Sequence, residues 1–231
     1  MSLIYDFFCL IYPRICSACD ASLLKHEEIL CTFCQHQLPK TNYHHDSDNP
    51  LCRVFWGRIP IAHAAALYFF KKGGKVQHVI HQLKYNGIEE IGTHLGESYG
   101  HDLLQSSFFK DVEVVIPVPL HKRKMRKRGY NQSEMIAIGL SKAMQIPCDT
   151  KTLIRTTASK TQTKKSRFKR WENVKEIFAI TNYEHLQGKH ILLVDDVITT
   201  GATIEACARQ LLTITGVKVS VVALACTAGL N

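Results

Sequence analysis

Uninterrupted apolar runs along the chain predict the buried strands of a parallel sheet. The clearest run covers residues 191–194. Strands covered by helices on both faces are apolar throughout, whereas half-exposed strands alternate apolar and polar positions. We interpret residues 112–118 as the first strand of the main sheet and residues 217–225 as the strand that closes it. The other predicted strands are residues 60–70, 152–156 and 176–180.

Between these runs, apolar residues recur three and four positions apart, which predicts amphipathic helices. One helix extends to residue 85 and stops at an Asn-Gly pair, and a second covers residues 88–104. A third follows Asn131, which has the spacing of a capping box with Glu134. Strands that alternate with helices predict an α/β fold with an open, mostly parallel sheet flanked by helices. The predicted buried stripes are Val76, Val79, Ile80 and Leu83; Ile91, Leu95 and Tyr99; Ile136, Ala137, Leu140, Ala143 and Met144; and Ile204, Ala208, Leu211 and Leu212.

Residues 191–203 join a buried strand to two acids and a small, hydroxyl-rich turn that opens a helix. We expect Asp195 and Asp196 to stand where the strand leaves the sheet. Backbone N–H groups at a helix N-terminus favour an anion such as phosphate. Carboxylates cannot bind phosphate, but they can accept hydrogen bonds from sugar hydroxyls beside it. The stretch therefore predicts a site for a sugar phosphate.

Two other arrangements of strand and acids are excluded. A Walker B strand requires a phosphate-binding loop, and neither Gly74-Lys75 nor Gly188-Lys189 has the upstream glycine that this loop needs. A response-regulator receiver domain needs most of a domain after its acidic pair, and only 28 residues follow Thr203 in the 231-residue chain.

Composition adds a bias towards anionic ligands. Lys and Arg number 29 against 20 Asp and Glu, which gives a net charge of +9. Residues 3–12 are apolar but span about half the length that a bilayer requires, and Asp6 interrupts them. They also lack the features of a signal peptide, so we expect a short docked helix, no membrane span and a cytoplasmic location.

Two basic segments are candidates for ligand contact. Six of the nine residues 120–128 are Lys or Arg. We predict that they form a loop at the carboxyl end of a strand, which is where open α/β sheets bind ligands. Residues 159–174 are long, polar and cationic, which favours a mobile lid, with plain disorder as the alternative.

Two CxxC pairs predict one structural zinc site near the start of the chain. Four thiolates can surround Zn²⁺ tetrahedrally with no open position, whereas a catalytic zinc keeps one position free. We predict an N-terminal unit of residues 1–52, with a helix and a zinc finger, and an α/β domain of residues 53–231. Cys52, His44 and His45 are interpreted as surface or packing residues, with a role as substitute ligands as the alternative. The predicted ligands are Cys16, Cys19, Cys31 and Cys34.

The pattern of residues 191–203 is similar to the phosphoribosyl pyrophosphate motif of type I phosphoribosyltransferases. Further motifs extend the similarity over essentially the whole chain, so that it resembles the ComF (competence protein) family. These motifs are the paired cysteines, Leu83-Lys84-Tyr85, Arg128-Gly129-Tyr130-Asn131-Gln132, and Gln162 through Arg170 to Asn173 and Phe178.

The resemblance implies that the protein has a type I phosphoribosyltransferase fold and binds phosphoribosyl pyrophosphate with Mg²⁺. Asp195 and Asp196 would bind the ribose 2′- and 3′-hydroxyls, and residues 159–173 would form the flexible catalytic loop. Many ComF sequences have leucine where Lys165 stands here, so the resemblance is incomplete at this position of the loop. The implied 5′-phosphate cradle is Thr199, Thr200, Gly201, Ala202 and Thr203. The implied pyrophosphate loop is Leu120, His121, Lys122, Arg123 and Lys124. The implied catalytic cations are Lys164, Arg167 and Arg170.

The resemblance leaves three functional hypotheses. The first is a Mg²⁺-dependent phosphoribosyltransferase, a pentosyl-transferring enzyme, associated with DNA uptake in natural transformation. The second is a factor of the uptake machinery that binds single-stranded DNA without catalysis and is regulated by the sugar-phosphate site. The third treats the zinc finger as a docking site for a helicase or another uptake protein.

Overall fold

Six strands form two sheets in the computed structural model, which describes residues 13–156 and 178–227. The strands are β1 (Ala64–Phe70), β2 (Val114–Pro117), β3 (Leu153–Arg155), β4 (Phe178–Ile180), β5 (His190–Ile198) and β6 (Lys218–Thr227). The main sheet has the order β1-β6-β5-β2, and all its neighbouring strands are parallel. Strands β3 and β4 pair antiparallel in a separate ribbon.

The described residues also contain seven α-helices. They are α1 (Thr32–Gln37), α2 (Pro50–Arg53), α3 (Lys75–Tyr85), α4 (Glu90–Leu104), α5 (Lys122–Arg128), α6 (Gln132–Met144) and α7 (Ala202–Leu211). The predicted buried stripes are confirmed in α3, α4 and α6. In α7 the buried stripe includes Cys207, while Leu212 follows the helix and is only partly buried.

Alternate residues of each strand contribute to two hydrophobic clusters, one on each face of the main sheet. Leu192 and Val194 of β5 join the cluster that contains α3, α4 and α6. Ile191 and Leu193 join the cluster that contains α7 and the segment after α2. Both faces are therefore covered, which explains why the strands are apolar at every position.

Three predictions about these elements are wrong. Residues 112–118 do not form the first strand of the main sheet, because β1 belongs to the same sheet and pairs with β6. The basic run is not a loop throughout, because residues 122–128 form α5, a helix between His121 at its N-cap and Gly129 at φ 86°. Lys and Arg are good helix formers, so a charged run can be helical without any buried stripe. The capping box is absent as well, since the side chain of Asn131 makes no capping bond.

Helices α4 and α6 approach closely at glycines. A Cβ atom on Gly139 of α6 would lie 2.1 Å from the backbone oxygen of Thr93 and 2.6 Å from the backbone nitrogen of Glu97. The two helices would have to separate to accept any side chain at this position.

Gly139→Ala is therefore expected to lower the free energy of unfolding by about 3 kcal/mol through overpacking. Guanidinium titration followed by circular dichroism measures the change. Ile138→Ala, at an exposed position of the same helix, is the matched control and should change stability little. Equal stability of the Gly139 variant and the wild type would contradict the close contact.

The four predicted cysteine ligands lie in a small N-terminal unit that packs on the main sheet. Cys16, Leu30 and Cys34 belong to the same hydrophobic cluster as α3 and β1. The helix predicted at residues 3–12 lies outside the described residues, and the boundary at residues 52 and 53 stays a prediction. No helix in the described ranges combines the length and the apolar character needed to cross a bilayer.

Candidate functional site

The two acids lie near the carboxyl end of β5, just beyond the end of β2. The last residue of β2, Pro117, pairs with Val194, and β5 continues past this point because it stays paired with β6. Asp195 and Asp196 therefore lie inside the strand and not after it, which corrects the expectation that the strand ends before them. They stand where, within the described part of the chain, one side of β5 no longer has a neighbouring strand.

Each acid receives a contact from a different helix. The hydroxyl of Ser133, in α6, donates to Asp195 Oδ1 at 3.0 Å, and the backbone N–H of Asp196 donates to the same oxygen at 2.8 Å. Lys84 Nζ, at the end of α3, lies 2.9 Å from Asp196 Oδ1. Neither Oδ2 atom accepts a hydrogen bond from the residues that the structure describes, so each carboxylate keeps an acceptor for a ligand.

The environment of Asp195 opposes its ionisation. Burial, with the negative charge of Asp196 as a second cause, raises the pKa of Asp195 to about 7. The hydrogen bonds from Asp196 N–H and Ser133, and the positive charge of Lys84, act in the opposite direction. Two adjacent acids held in this way reduce the stability of the fold. Such pairs are therefore typical of a binding site, where a function requires them.

The turn between β5 and α7 has the backbone form that the sequence indicates. Gly201 is the N-cap of α7 at φ 74°, and a Cβ atom there would lie 2.8 Å from Phe55 Cε1, so only glycine fits without displacement. The guanidinium of Arg58 donates to Thr200 O at 3.0 Å and contacts Glu205 Oε2 at 2.5 Å. Arg58 belongs to the segment after α2, so this segment fixes the position of the turn. A cavity of about 40 Å³ opens on the turn, and Thr199, Thr200, Gly201, Ala202 and Thr203 all line it.

A larger cavity of about 200 Å³ adjoins the acids and is bordered by cations. Lys124 and Arg128 approach it from α5, and Arg155 approaches it from the β3–β4 ribbon. Arg155 lies with its guanidinium carbon 5.2 Å from the ring centroid of Phe178, and its buried Nε atom has no hydrogen-bond partner among the described residues. The cavity can therefore receive a polyanion next to two hydrogen-bond-accepting carboxylates.

The segment between α5 and α6 builds one wall of this cavity. Tyr130 is buried, and its hydroxyl donates to the backbone oxygen of Leu83. Asn131 Nδ2 donates to Val118 O at 3.0 Å, which ties α6 to the end of β2. Arg128 Nη1 donates to Gln132 Oε1 at 2.6 Å. These contacts fix α3, β2 and α5 around the acids.

The structure brings together part of the predicted site. Of the predicted pyrophosphate-loop residues, Leu120 and Lys124 line the larger cavity, whereas His121, Lys122 and Arg123 do not. Lys164, Arg167, Arg170 and the predicted lid lie outside the described residues. Sequence reasoning assigned no role in the site to Ser133, Lys84 or Arg155. The Leu-Lys-Tyr motif was a signal for Lys84, while Ser133 and Arg155 carry no sequence signal of their own.

The four predicted zinc ligands form a compact cluster. The sulfur atoms of Cys16, Cys19, Cys31 and Cys34 all lie within 4.8 Å of one another, and those of Cys19 and Cys31 are 3.8 Å apart. Four sulfurs at the usual Zn–S distance are separated by about 3.8 Å in a tetrahedron. The backbone N–H of Cys31 donates to Cys16 Sγ at 3.3 Å, and Lys75 Nζ lies 3.7 Å from Cys34 Sγ. These contacts suit negatively charged thiolates, so the cluster can hold a metal ion and is consistent with a zinc finger.

Two of the other candidate metal ligands, Cys52 and His44, have packing roles, and the third, His45, is exposed. Cys52 is buried, and its sulfur accepts from Asn49 Nδ2 at 3.3 Å and from the backbone N–H of Ala64 at 3.2 Å. His44 is buried against the ring of Tyr99. Burial raises the pKa of the Cys52 thiol and lowers the pKa of His44. Neither belongs to a metal-binding cluster among the described residues.

The parallel sheet, the acid pair and the glycine turn define a class of protein, and comparisons with known proteins agree with it. The family model of the phosphoribosyl transferase domain matches residues 132–229. The chain is similar to the DNA utilization protein YhgH of Shigella flexneri, with 30% identity over 203 residues that cover 86% of this chain and 84% of the relative. It is also similar to the competence protein ComFC of Bacillus subtilis, with 28% identity over 87% of this chain and 90% of the relative.

Among solved structures, the glutamine phosphoribosylpyrophosphate amidotransferase of B. subtilis overlaps 61% of this chain and 30% of its own, with 21% identity and a TM-score of 0.41. The family-model match, together with a parallel sheet covered by helices on both faces, gives the protein the type I phosphoribosyltransferase fold. Within that class, the chain belongs to the ComF family.

Proposed function

We propose that the protein binds phosphoribosyl pyrophosphate together with Mg²⁺ at the acid pair. The observation that carries the proposal is the geometry of one continuous site. Two carboxylates with unused oxygens lie between an anion-binding turn and a cavity bordered by cations. A ribose with a phosphate at one end and a pyrophosphate at the other presents hydroxyls and anions in the same order.

Each part of the site has a defined role in this proposal. Asp195 and Asp196 accept hydrogen bonds from the ribose 2′- and 3′-hydroxyls. The backbone N–H groups and hydroxyls of residues 199–203 bind the 5′-phosphate at the N-terminus of α7. Lys124 and Arg128 face the pyrophosphate. Bound Mg²⁺ would be held by oxygens of the pyrophosphate and the ribose, and it would neutralise charge on the leaving group.

The same arrangement supports transfer of the phosphoribosyl group to an acceptor. Breaking the bond between C1 and the pyrophosphate places negative charge on the pyrophosphate, and the cations of α5 stabilise it. Lys164, Arg167 and Arg170 are proposed to supply further positive charge. An acid pair that binds the ribose in place keeps C1 oriented towards an acceptor.

Isothermal titration with phosphoribosyl pyrophosphate, with and without Mg²⁺, tests the proposal directly. We expect saturable one-to-one binding that weakens when Mg²⁺ is omitted, because the pyrophosphate then approaches the acids without a neutralising cation. Ribose 5-phosphate and inorganic pyrophosphate, titrated separately, should each bind more weakly than the complete molecule. A flat titration with Mg²⁺ present would reject the proposal.

A second candidate function, binding of single-stranded DNA, is favoured by the surface around α5. None of the α5 residues is buried, and no ion pair of its Lys or Arg residues with an acid occurs in the described parts of the chain. Tyr85 is 53% exposed, and Lys127 Nζ and Arg128 Cζ lie 5.9 and 5.2 Å from its ring centroid. An exposed aromatic ring beside unpaired cations is the arrangement that binds stacked bases and phosphates.

Replacing Arg126 and Lys127 by alanine is expected to weaken binding of a labelled oligothymidylate and to reduce the salt dependence. Two lost phosphate contacts lower the slope of log K against log salt by about 1.4 for a single strand. Tyr85→Ala should weaken binding with the slope unchanged, because stacking releases no counterions. Fluorescence anisotropy across a salt series measures both effects.

The matched control is Lys110→Ala with Lys218→Ala. Both lysines are exposed. Lys110 precedes β2 and Lys218 begins β6, so both lie at the amino ends of the strands, whereas α5 follows the carboxyl end of β2. An equal loss of affinity in this control would show a non-specific effect of charge and would reject α5 as the binding surface.

A further inference from the structure

Lys84 lies inside the candidate site although the pattern of acids and turn does not require it. Its ammonium group is 2.9 Å from Asp196 Oδ1, and the two side chains are 20% and 14% exposed. No other ion pair in the described ranges has both partners so little exposed to solvent. An ion pair shielded in this way interacts more strongly than a surface pair, which is typically worth little.

The backbone at Lys84 is fixed in position by its neighbours. Leu83 is fully buried, and its carbonyl oxygen accepts the hydrogen bond from the buried Tyr130 hydroxyl. Asn86 ends α3 with a backbone hydrogen bond to Gln82 O at 3.1 Å. The last turn of α3 is therefore anchored to the wall of the cavity, and the lysine extends from a rigid base.

The charges around the acid pair come from several elements. The acids themselves are in β5, and Lys84 approaches from α3. Lys124 and Arg128 line the cavity from α5, and Arg155 lines it from β3. From α7, the buried thiol of Cys207 lies close enough to be affected by the charge of Asp195. Of the four cations, Lys84 is the one within 4.0 Å of an acid in the described structure.

We propose that Lys84 is a positioning residue of the sugar-phosphate site, whose ammonium group acts as the fixed counter-ion of the acid pair and orients Asp196 towards the ribose. The proposal rests on the binding function proposed above. The lysine contacts one oxygen of Asp196 and leaves the other free, so it neutralises charge without occupying the position of the ligand. Carboxylates that stay ionised can accept from both ribose hydroxyls.

The counter-ion role has a consequence for pH dependence. The pKa of Asp195 is already raised to about 7 by burial and by Asp196, and the charge of Lys84 opposes this. Removing a nearby opposite charge typically raises a carboxyl pKa by about one unit or more. A protonated carboxyl group accepts fewer hydrogen bonds, so binding should weaken as the pH falls, and the weakening should begin at higher pH without Lys84.

The test compares Lys84→Met, which keeps the length of the side chain without its charge, with Lys84→Arg, which keeps the charge. Carbon-13 NMR of the Asp carboxyl carbons gives the titration midpoint of Asp195 with no ligand present. Titration calorimetry gives the affinity for phosphoribosyl pyrophosphate with Mg²⁺ from pH 6 to pH 9. Lys142→Met removes the lysine of an exposed ion pair between α6 and Glu97 of α4 and serves as the matched control.

We expect Lys84→Met to move the Asp195 midpoint up by about one pH unit and to weaken binding at pH 7 about fivefold more than at pH 9. Lys84→Arg should restore both values to near wild type, and Lys142→Met should change neither. A purely structural lysine would instead weaken binding equally at every pH and leave the midpoint in place, and that result would overturn the proposal.

Two further outcomes are decisive. If Lys84→Arg behaves like Lys84→Met, positive charge is not what the site requires, and the counter-ion role is rejected. If the wild-type chain binds no phosphoribosyl pyrophosphate at any pH while the Asp195 midpoint still moves as expected, the binding function fails and the counter-ion role stands.

Discussion

Replacing both acids, Asp195→Asn together with Asp196→Asn, should weaken the binding of phosphoribosyl pyrophosphate with Mg²⁺ by more than about 100-fold, because each lost hydrogen bond to a charged acceptor is worth about 1.5–3 kcal/mol. The substitution keeps the size of both side chains. An asparagine at position 195 can still accept from the Ser133 hydroxyl through its amide oxygen. The loss should therefore come from the ligand contacts and not from a distorted strand. Titration calorimetry with wild type and variant side by side measures it.

Asp195→Asn alone should change stability in the direction opposite to its effect on binding. Because the pKa of Asp195 in the folded protein is raised to about 7 from an ordinary value near 4, the folded state holds this proton more tightly than the unfolded state does. The fold consequently loses stability as the pH rises from about 4 to about 7, and the full cost is present above pH 7. Asp195→Asn removes that cost and is expected to raise the free energy of unfolding at pH 8 by about 1–3 kcal/mol, after allowance for partial solvent exposure.

A control with the same change in net charge is available at Asp46 and Asp48. Both are exposed, and Asp48 pairs with Arg53 at the surface. Asp46→Asn with Asp48→Asn should leave binding of the sugar phosphate within about twofold of wild type, because exposed ion pairs such as Asp48–Arg53 contribute little free energy. If both double variants weaken binding alike, long-range charge explains the effect. If the Asp195 and Asp196 variant still binds tightly, the acids do not hold the ribose.

The central site could be predicted from the sequence because its parts are contiguous. A buried strand, two acids and a glycine turn occupy 13 successive residues, so the local pattern contains most of the geometry. The four cysteines were predictable for the same reason, since their spacing alone indicates a metal site. The apolar stripes of α3, α4 and α6 follow from helical periodicity and were all confirmed.

The features that the sequence did not show depend on contacts between distant segments. Lys84 and Asp196 are 112 residues apart, and Arg58 and Thr200 are 142 apart. Such contacts exist only after the strands are ordered in the sheet, and the order β1-β6-β5-β2 cannot be inferred from the strands one at a time. The sequence also failed at α5, where no apolar periodicity distinguishes a charged helix from a charged loop.

The acids were misplaced for a related reason. A strand in the middle of a sheet can lose its partner on one side and keep the other, and only the registers of both pairings show this. Because β2 ends before β5 does, Asp195 and Asp196 combine the rigidity of a strand with the openness of a sheet edge. This combination explains why the site can hold two carboxylates close together without a flexible loop.

Removal of the proposed zinc ion should have the largest effect on stability. We expect the purified chain to contain one zinc per molecule and Cys16→Ser to lose it, because Cys16 is fully buried in the cluster. Structural zinc sites in isolated fingers contribute about 10–16 kcal/mol of apparent binding free energy, so the N-terminal unit should unfold without the metal. Metal analysis by mass spectrometry and thermal unfolding, with and without a chelator, measure the two effects.

The damage should also spread beyond the finger, because the cysteines pack in the same hydrophobic cluster as α3 and Lys75 of α3 lies 3.7 Å from Cys34 Sγ. Since α3 carries Lys84, loss of the metal should weaken binding of the sugar phosphate as well as lower the melting temperature. Cys148→Ser, at a partly buried cysteine outside the cluster, is the control that should keep the full zinc content. Wild-type protein that carries no zinc, or a Cys16 variant that melts with the wild type, would contradict a structural metal and leave the cysteines as ordinary packing residues.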